Sequence, residues 1–473
     1  LRARRRALHR SAAEWFAERD PVLHAGHLDR AEDPSAPAAY LRAARSQAVE
    51  YRYESALRLV RRGLALAAEP GDVFELTCFE GDLLQDLGRV NDSLPAFERA
   101  ADVARDDGER CRAWIGLAAG MRVTDRTDEA LSMLDRAEDV ASRNELRLEL
   151  ARTHHLRGNL LFPLGRIEEC AEQHRLALDF ARQAGSVREE AAALGGLGDA
   201  TYARGRIVSA HDYFLRCIDL ARVHGLGRIE VANLSMVAHC RMYLADLRGA
   251  REVSRAATEA ALKVGHQRAE VIARSAAGVL ALFAGDLDEA KEHVERRLAL
   301  ARQLGAARFE AVALNERGRI LRTEGRMQEA VEALERALAV SRATGVSFVG
   351  PWILAQLALV VDDPQRRRDA LDEGERILQT GAPAHNHFWF HTFAIEASLA
   401  SGGWDEAERY AAALEAYTSA EPTLWSEFFA AWGRALAAHG RGARDEATRS
   451  RLAALRDQAA EIGFRFALPP LQA

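Results

Sequence analysis

Lysine is almost absent from this chain of 473 residues: only Lys263 and Lys291 occur, so 62 of its 64 basic residues are arginine. Against 70 acidic residues the formal charge is 64 − 70 = −6, which excludes a global basic field drawing the chain to nucleic acid or an anionic membrane. Proline is scarce, with 12 residues, so little interrupts a helical composition led by Ala, Leu, Arg and Glu. No apolar run reaches the ~18–20 residues of a membrane-spanning helix. The longest candidate, Ala276 to Ala284, is short and contains Gly278. The start, Leu1-Arg-Ala-Arg-Arg-Arg, lacks the apolar stretch of a secretory leader, and the missing initiator Met leads us to expect a fragment or a processed chain. The five cysteines, Cys78, Cys111, Cys170, Cys217 and Cys240, are odd in number and form no Cys-x-x-Cys pair. Neither a disulfide framework nor a zinc knuckle is expected; buried small side chains in a reducing, cytoplasmic compartment are. No Gly-x-x-x-x-Gly-Lys-[Ser/Thr] loop and no Gly-x-Ser-x-Gly elbow occurs, so no catalytic residues, cofactor or enzyme activity are expected of this chain itself.

What the sequence does contain is a repeat. A turn glycine is followed five residues later by a small residue, as in Gly165-Arg-Ile-Glu-Glu-Cys170, Gly205-Arg-Ile-Val-Ser-Ala210, Gly285-Asp-Leu-Asp-Glu-Ala290 and Gly325-Arg-Met-Gln-Glu-Ala330. The small residue recurs at Ala130, Cys170, Ala210, Ala250, Ala290, Ala330 and Ala370, six steps of 40. Flanking copies at Ala56, Ser93, Ala407 and Ala447 step by 37 or 40. Gly185, Gly225, Gly265, Gly305 and Gly345 keep the same beat and sit where a helix should end, because glycine accepts the left-handed conformation. A third landmark lies seven residues before the turn: Gly81, Ala118, Gly158, Gly198, Ala238, Gly278 and Gly318, small enough for two helices to approach closely. Each unit therefore reads as helix A, turn, helix B, loop. In one unit, helix A is predicted near Ala307–Thr323 and helix B near Met327–Thr344, with an apolar stripe at Met327, Ala330, Val331, Leu334 and Leu338. Such stripes are buried only by stacking neighbours, which predicts an all-α solenoid of about ten to eleven antiparallel helix pairs over residues 36–463.

The pattern from Asn315 to Ala337, with Gly318, Gly325, Ala330 and Ala337 at the matching places, resembles the tetratricopeptide repeat. The period differs: 37 to 40 residues against 34, so both helices are expected about one turn longer. The large aromatic at the start of helix A is mostly replaced, fitting only at Trp114. The resemblance implies a right-handed superhelix whose helices A line a concave groove, with the residue six before each turn glycine facing it: Asp82, Ala119, Asn159, Asp199, His239, Val279 and Arg319. With neighbours His155, Tyr202, Ser235, Tyr243, Ser275, Asn315 and Arg322 these are the groove candidates, polar and of mixed sign, suited to a protein or peptide partner or a polar small molecule.

The ends differ. A helix over Arg4–Glu18, a break at Asp20-Pro21 with Pro21 opening the next helix, and Asp33-Pro-Ser-Ala-Pro37 make residues 1–35 a separate helical junction. Ala13-Glu-Trp-Phe16 and Pro21-Val-Leu-His-Ala-Gly-His-Leu28, leading into Ala38-Ala-Tyr-Leu41, are similar to the handover from ATPase module to helical-repeat sensor in bacterial signal-transduction (STAND-type) ATPases. Related layouts accompany nucleotide cyclase and Ser/Thr kinase domains. The resemblance implies an upstream catalytic module as intramolecular partner and a regulatory role for this chain. The alternative is a structural scaffold that oligomerises through its aromatic C-terminal repeats, Phe388 to Trp404 and Trp425 to Trp432. Residues 464–473 are expected to fold back as a cap. His387 and His391, i and i+4 on one helix face, are the weak metal alternative, lacking a third ligand at helical spacing.

Overall fold

The computed structural model describes residues 2–124 and 126–468. Among them every regular element is helical: 24 α-helices and three short 3₁₀ turns, with no strand. The chain divides into two compact units, residues 1–160 with 176–189, and residues 161–175 with 190–473. The first unit holds α1(Arg2–Phe16), α2(Pro21–Arg30), α3(Ala36–Val49), α4(Tyr53–Leu64), α5(Pro70–Asp86), α6(Val90–Val103), α7(Asp107–Val123), α8(Thr127–Arg143) and all but the last residue of α9(Arg147–Leu161). The boundary runs through α10(Ile167–Gln183) and α11(Val187–Ala203). The second unit continues with α12(Ile207–Val223), α13(Gly227–Tyr243), α14(Leu247–Lys263), α15(Gln267–Ala284), α16(Leu287–Gln303), α17(Ala307–Thr323), α18(Met327–Thr344), α19(Gly350–Val360), α20(Pro364–Gln379), α21(Ala384–Ala400), α22(Trp404–Thr418), α23(Leu424–Gly440) and α24(Glu446–Ile462).

From α3 onward the odd helices are helices A and the even ones helices B. The expected pair, Ala307–Thr323 and Met327–Thr344, is observed with those bounds. Its punctuation is physical. Gly305 and Gly325 adopt φ +62° and +76°, which a side chain would strain, and so end one helix and turn into the next. Inside helix A, a Cβ on Gly318 would stand 2.6 Å from Leu334 Cγ on helix B, so the small residue lets the pair close. Gly198 does the same against Phe214, with a Cβ 2.6 Å from Cε1. Gly278 has no such neighbour nearer than 3.5 Å, so there the small residue is not sterically required. The helix-B stripe is buried as expected at Ala330, Leu334 and Leu338, while Met327 at the helix start stays exposed.

At the chain start, Asp20 caps α2 by accepting from Val22 N and Leu23 N at 2.9 Å, and Pro21 is the first helical residue. At the far end, Phe464 is fully buried and Trp432 Nε1 donates to Ala467 O at 3.3 Å, holding the segment after α24 against α23. The rest of the expected cap, residues 469–473, lies outside the described residues. All five cysteines are buried and unpaired. Burial pushes the thiols of Cys78, Cys170 and Cys217 up to about 12, which makes them unreactive packing groups. No helix among the described residues is long and apolar enough to cross a membrane.

Candidate functional site

In the second unit successive helices A touch one another, α13 with α15, α15 with α17 and α17 with α19, and so share one face, the inner face of the repeat. The structure places the C-terminal aromatic helices directly on part of that face. Tyr243 of α13 stacks on Phe388 of α21 at 4.4 Å between ring centroids, and Trp425 of α23 meets it edge-on at 5.5 Å. Phe283 of α15 packs on Trp389, Trp425 and Phe464 at 5.7–5.9 Å. Arg465 Nη1 donates to Ala284 O, the end of α15, at 3.1 Å. A polar clasp lies at the edge: Glu421 accepts from the backbone N–H of Ser209 at 3.0 Å and from its hydroxyl, and Tyr417 donates to Ala203 O at 3.4 Å. Residues more than 200 positions apart are thereby joined.

This determines where the sequence candidates lie. Arg319 is 4 % exposed, its guanidinium over the rings of Phe283, Trp389 and Phe393 at 5.0–5.5 Å; burial pulls its pKa down to about 9. Arg322 donates to Glu396 of α21 at 2.8 Å. Asn315 is fully buried and accepts from Gln356 of α19 at 3.0 Å. Tyr202 is buried between Tyr243 and His385, and Ser235 is buried within α13. Arg319, Asn315, Tyr202 and Ser235 are interior groups, whereas Arg322 is half-buried and held by its ion pair to Glu396. Beside them, Glu316 accepts from Arg297 at 2.5 Å in a fully buried ion pair that no repeat landmark marks, and from the groove candidate Ser275 at 2.9 Å.

Two further second-unit candidates are reachable. Asp199 of α11 is half-buried and forms no hydrogen bond among the described residues; burial pushes its carboxyl up to about 7, opposed by Arg268 at the start of α15. His239 of α13 is electrostatically coupled to His385, the second residue of α21. His239 Nδ1 donates to Ser235 O at 2.9 Å, and burial holds it neutral with a pKa of about 4.

In the first unit, His155 and Asn159 of α9 touch each other at 3.0 Å, Nε2 to Nδ2, and are half-buried. Burial lowers His155 to about 4. Asp82 of α5 is exposed, with Arg112, Arg152 and Arg188 acting on its carboxyl electrostatically. The histidine pair considered for metal is otherwise engaged: His387 stacks flat on Tyr417 at 3.8 Å, and His391 is buried near Tyr410. Among the described residues no group of three ligating side chains could hold a metal ion.

Residues 311–344 match the tetratricopeptide repeat family model. No curated protein matches the chain. Among solved structures it is similar to the Rap protein complexed with competence and sporulation factor, at 14 % identity and a TM-score of 0.54, over 82 % of this chain and 98 % of that one. It is also similar to the Rap conjugation gene regulator of plasmid pLS20 in complex with the Phr* peptide (14 % identity, TM-score 0.48, 73 % and 97 % covered). A signal-transduction ATPase with a tetratricopeptide repeat sensor from Pyrococcus horikoshii gives 14 % identity and a TM-score of 0.45, over 71 % of this chain and 54 % of that protein. The chain is thus a tetratricopeptide-like helical-repeat protein in fold.

Proposed function

We propose that this chain is a binding module that receives an extended polypeptide segment on the inner face of its second unit. Asp199 is the observation that carries the reading: a half-buried carboxyl with no hydrogen-bond partner among the described residues costs folding free energy and is positioned to meet a donor from outside. His239 adds a second reachable polar group on the neighbouring helix A. Extended peptides suit such a face because their backbone donors and acceptors recur along its length. The Rap protein of similar fold was crystallised with competence and sporulation factor, which supports the reading by analogy of architecture alone. The role we assign is the regulatory or sensor region of a multidomain bacterial signalling ATPase, cyclase or kinase in the cytoplasm, with residues 1–35 as its link to an upstream module. The scaffold alternative draws no support from the aromatic repeats, because Phe388, Trp389, Trp425, Phe428 and Phe429 are spent inside the unit at 0–1 % exposure. Selection of a displayed random-peptide library on the immobilised chain tests the reading. We expect enrichment by the native chain and its loss in Asp199→Ala/His239→Ala at unchanged helicity; equal enrichment by both chains refutes it.

A further inference from the structure

Several repeats place an arginine immediately before helix B and tie it down in the same way. Arg89, Arg126, Arg166 and Arg326 each donate through Nε to the acid three residues further on, Asp92, Glu129, Glu169 and Glu329, at 2.7–2.9 Å. Arg206 holds that position before α12, but three residues on stands Ser209. Ser209 takes the carboxylate of Glu421 on its backbone N–H and its hydroxyl, so that acid serves the helix start and not the arginine. The Arg206 guanidinium is half-buried and forms no hydrogen bond or ion pair among the described residues. Taking a cation partly out of water without a partner costs stability. Of these five arginines, Arg206 is the one placed to meet an anion from outside.

Arg206 lines a cleft of about 320 Å³ within the second unit, at the low end of the range for small-ligand sites, about 300–1,000 Å³. Gly205 adopts φ +78°, and a Cβ on it would stand 2.7 Å from Tyr417 Cε1, so the bare glycine lets the tyrosine ring lie against the turn that carries Arg206. His387 stacks flat on Tyr417, and its ring nitrogens have no hydrogen-bond partner among the described residues. Burial holds this imidazole neutral, with a pKa of about 4, so it offers one donor and one acceptor. Arg204 also lines the cleft but is engaged by Glu168, Nε to Oε1 at 2.8 Å. Ile167, Ala203 and Ala382 supply apolar lining. The cleft thus combines one uncompensated positive charge, a neutral hydrogen-bonding ring and apolar walls. A dianion such as a phosphate monoester would leave one charge unmatched there. We propose that this cleft binds a small organic monoanion, a carboxylate on a compact aromatic or apolar body, with Arg206 as its cationic partner. The planar guanidinium fork matches a carboxylate. Such a ligand touches α10, the turn before α12, α21 and α22 together, and so ties the returning helices to the earlier repeats. The site is separate from Asp199 and His239 and does not depend on a peptide being the partner of the inner face.

Saturation-transfer NMR on the full chain at low salt, with benzoate and with benzamide as its neutral isostere, tests the proposal. Benzoate should bind saturably and at least about tenfold more tightly than benzamide. Arg206→Gln should weaken benzoate at least about tenfold. Arg206→Lys, which keeps the charge without the fork, should retain a preference for benzoate over benzamide. Arg326→Gln, which removes the equivalent but paired arginine, should leave benzoate binding unchanged. Circular dichroism of each variant confirms that it is folded. No saturable benzoate binding, equal binding of benzoate and benzamide, or unchanged benzoate binding to Arg206→Gln overturns the proposal.

Discussion

Replacing Arg319 separates an interior group from a ligand contact. With 4 % of its surface exposed and its pKa pulled from 12.5 to about 9, charging this guanidinium in the folded state costs about 5 kcal/mol. Three cation–π contacts at 5.0–5.5 Å offset roughly 1 kcal/mol each, leaving a net cost of about 2 kcal/mol. Methionine fills similar volume without a charge, so Arg319→Met should stabilise the second unit by about 2 kcal/mol. Arg319→Ala removes the same charge but opens a cavity among Phe283, Trp389 and Phe393, and should destabilise it by about 1–3 kcal/mol. The pH dependence has a definite sign. The folded pKa is depressed, so the penalty is complete below pH 9 and shrinks above it, and the advantage of Arg319→Met should be largest below pH 9. Urea unfolding followed by tryptophan fluorescence reads this, because Trp352, Trp389, Trp404, Trp425 and Trp432 all lie in the second unit. A methionine variant less stable than the native chain by more than about 1 kcal/mol would refute the reasoning.

Three further outcomes follow. Arg297→Met should cost about 3–5 kcal/mol because it strands the Glu316 carboxylate in the interior, whereas Arg297→Met/Glu316→Leu should recover most of that loss in the same unfolding assay. Gly318→Leu should lower the thermal midpoint sharply, since a Cβ alone already meets Leu334 at 2.6 Å, while Gly278→Ala should leave it nearly unchanged. Asp199 has a raised folded pKa, so its contribution is present below the unfolded value near 4 and is lost as pH rises through about 7. Asp199→Asn should therefore match the native chain at pH 4 and exceed its stability above pH 7 by about 1–2 kcal/mol after allowance for solvent screening, as read from denaturation midpoints across pH.

The repeat was legible because its signals are local. Gly305, Gly325 and Gly345 delimit α17 and α18 through backbone conformations few other residues accept, and Gly318 fixes how closely the pair packs. The beat weakens where α19 shortens to Gly350–Val360 between Pro351 and the Pro364 that opens α20. Periodicity could not show that α21 and α23 return to cover α13, α15 and α17, because contacts between residues 70 or more positions apart leave no periodic mark. Arg319 and Asn315 occupy groove positions of the repeat and are nonetheless interior, since repeat register says which face a residue takes and not what later covers it.

The most direct test of the account concerns the covering of the inner face. In a chain carrying Ser209→Cys and Glu421→Cys, a short bifunctional thiol reagent such as dibromobimane should link the two positions within one molecule. The five native cysteines are buried and should not compete. An intramolecular link in high yield, mapped by mass spectrometry, is the predicted result. Two reactive thiols that label singly and never join would contradict the closure on which the placement of every interior and reachable residue rests.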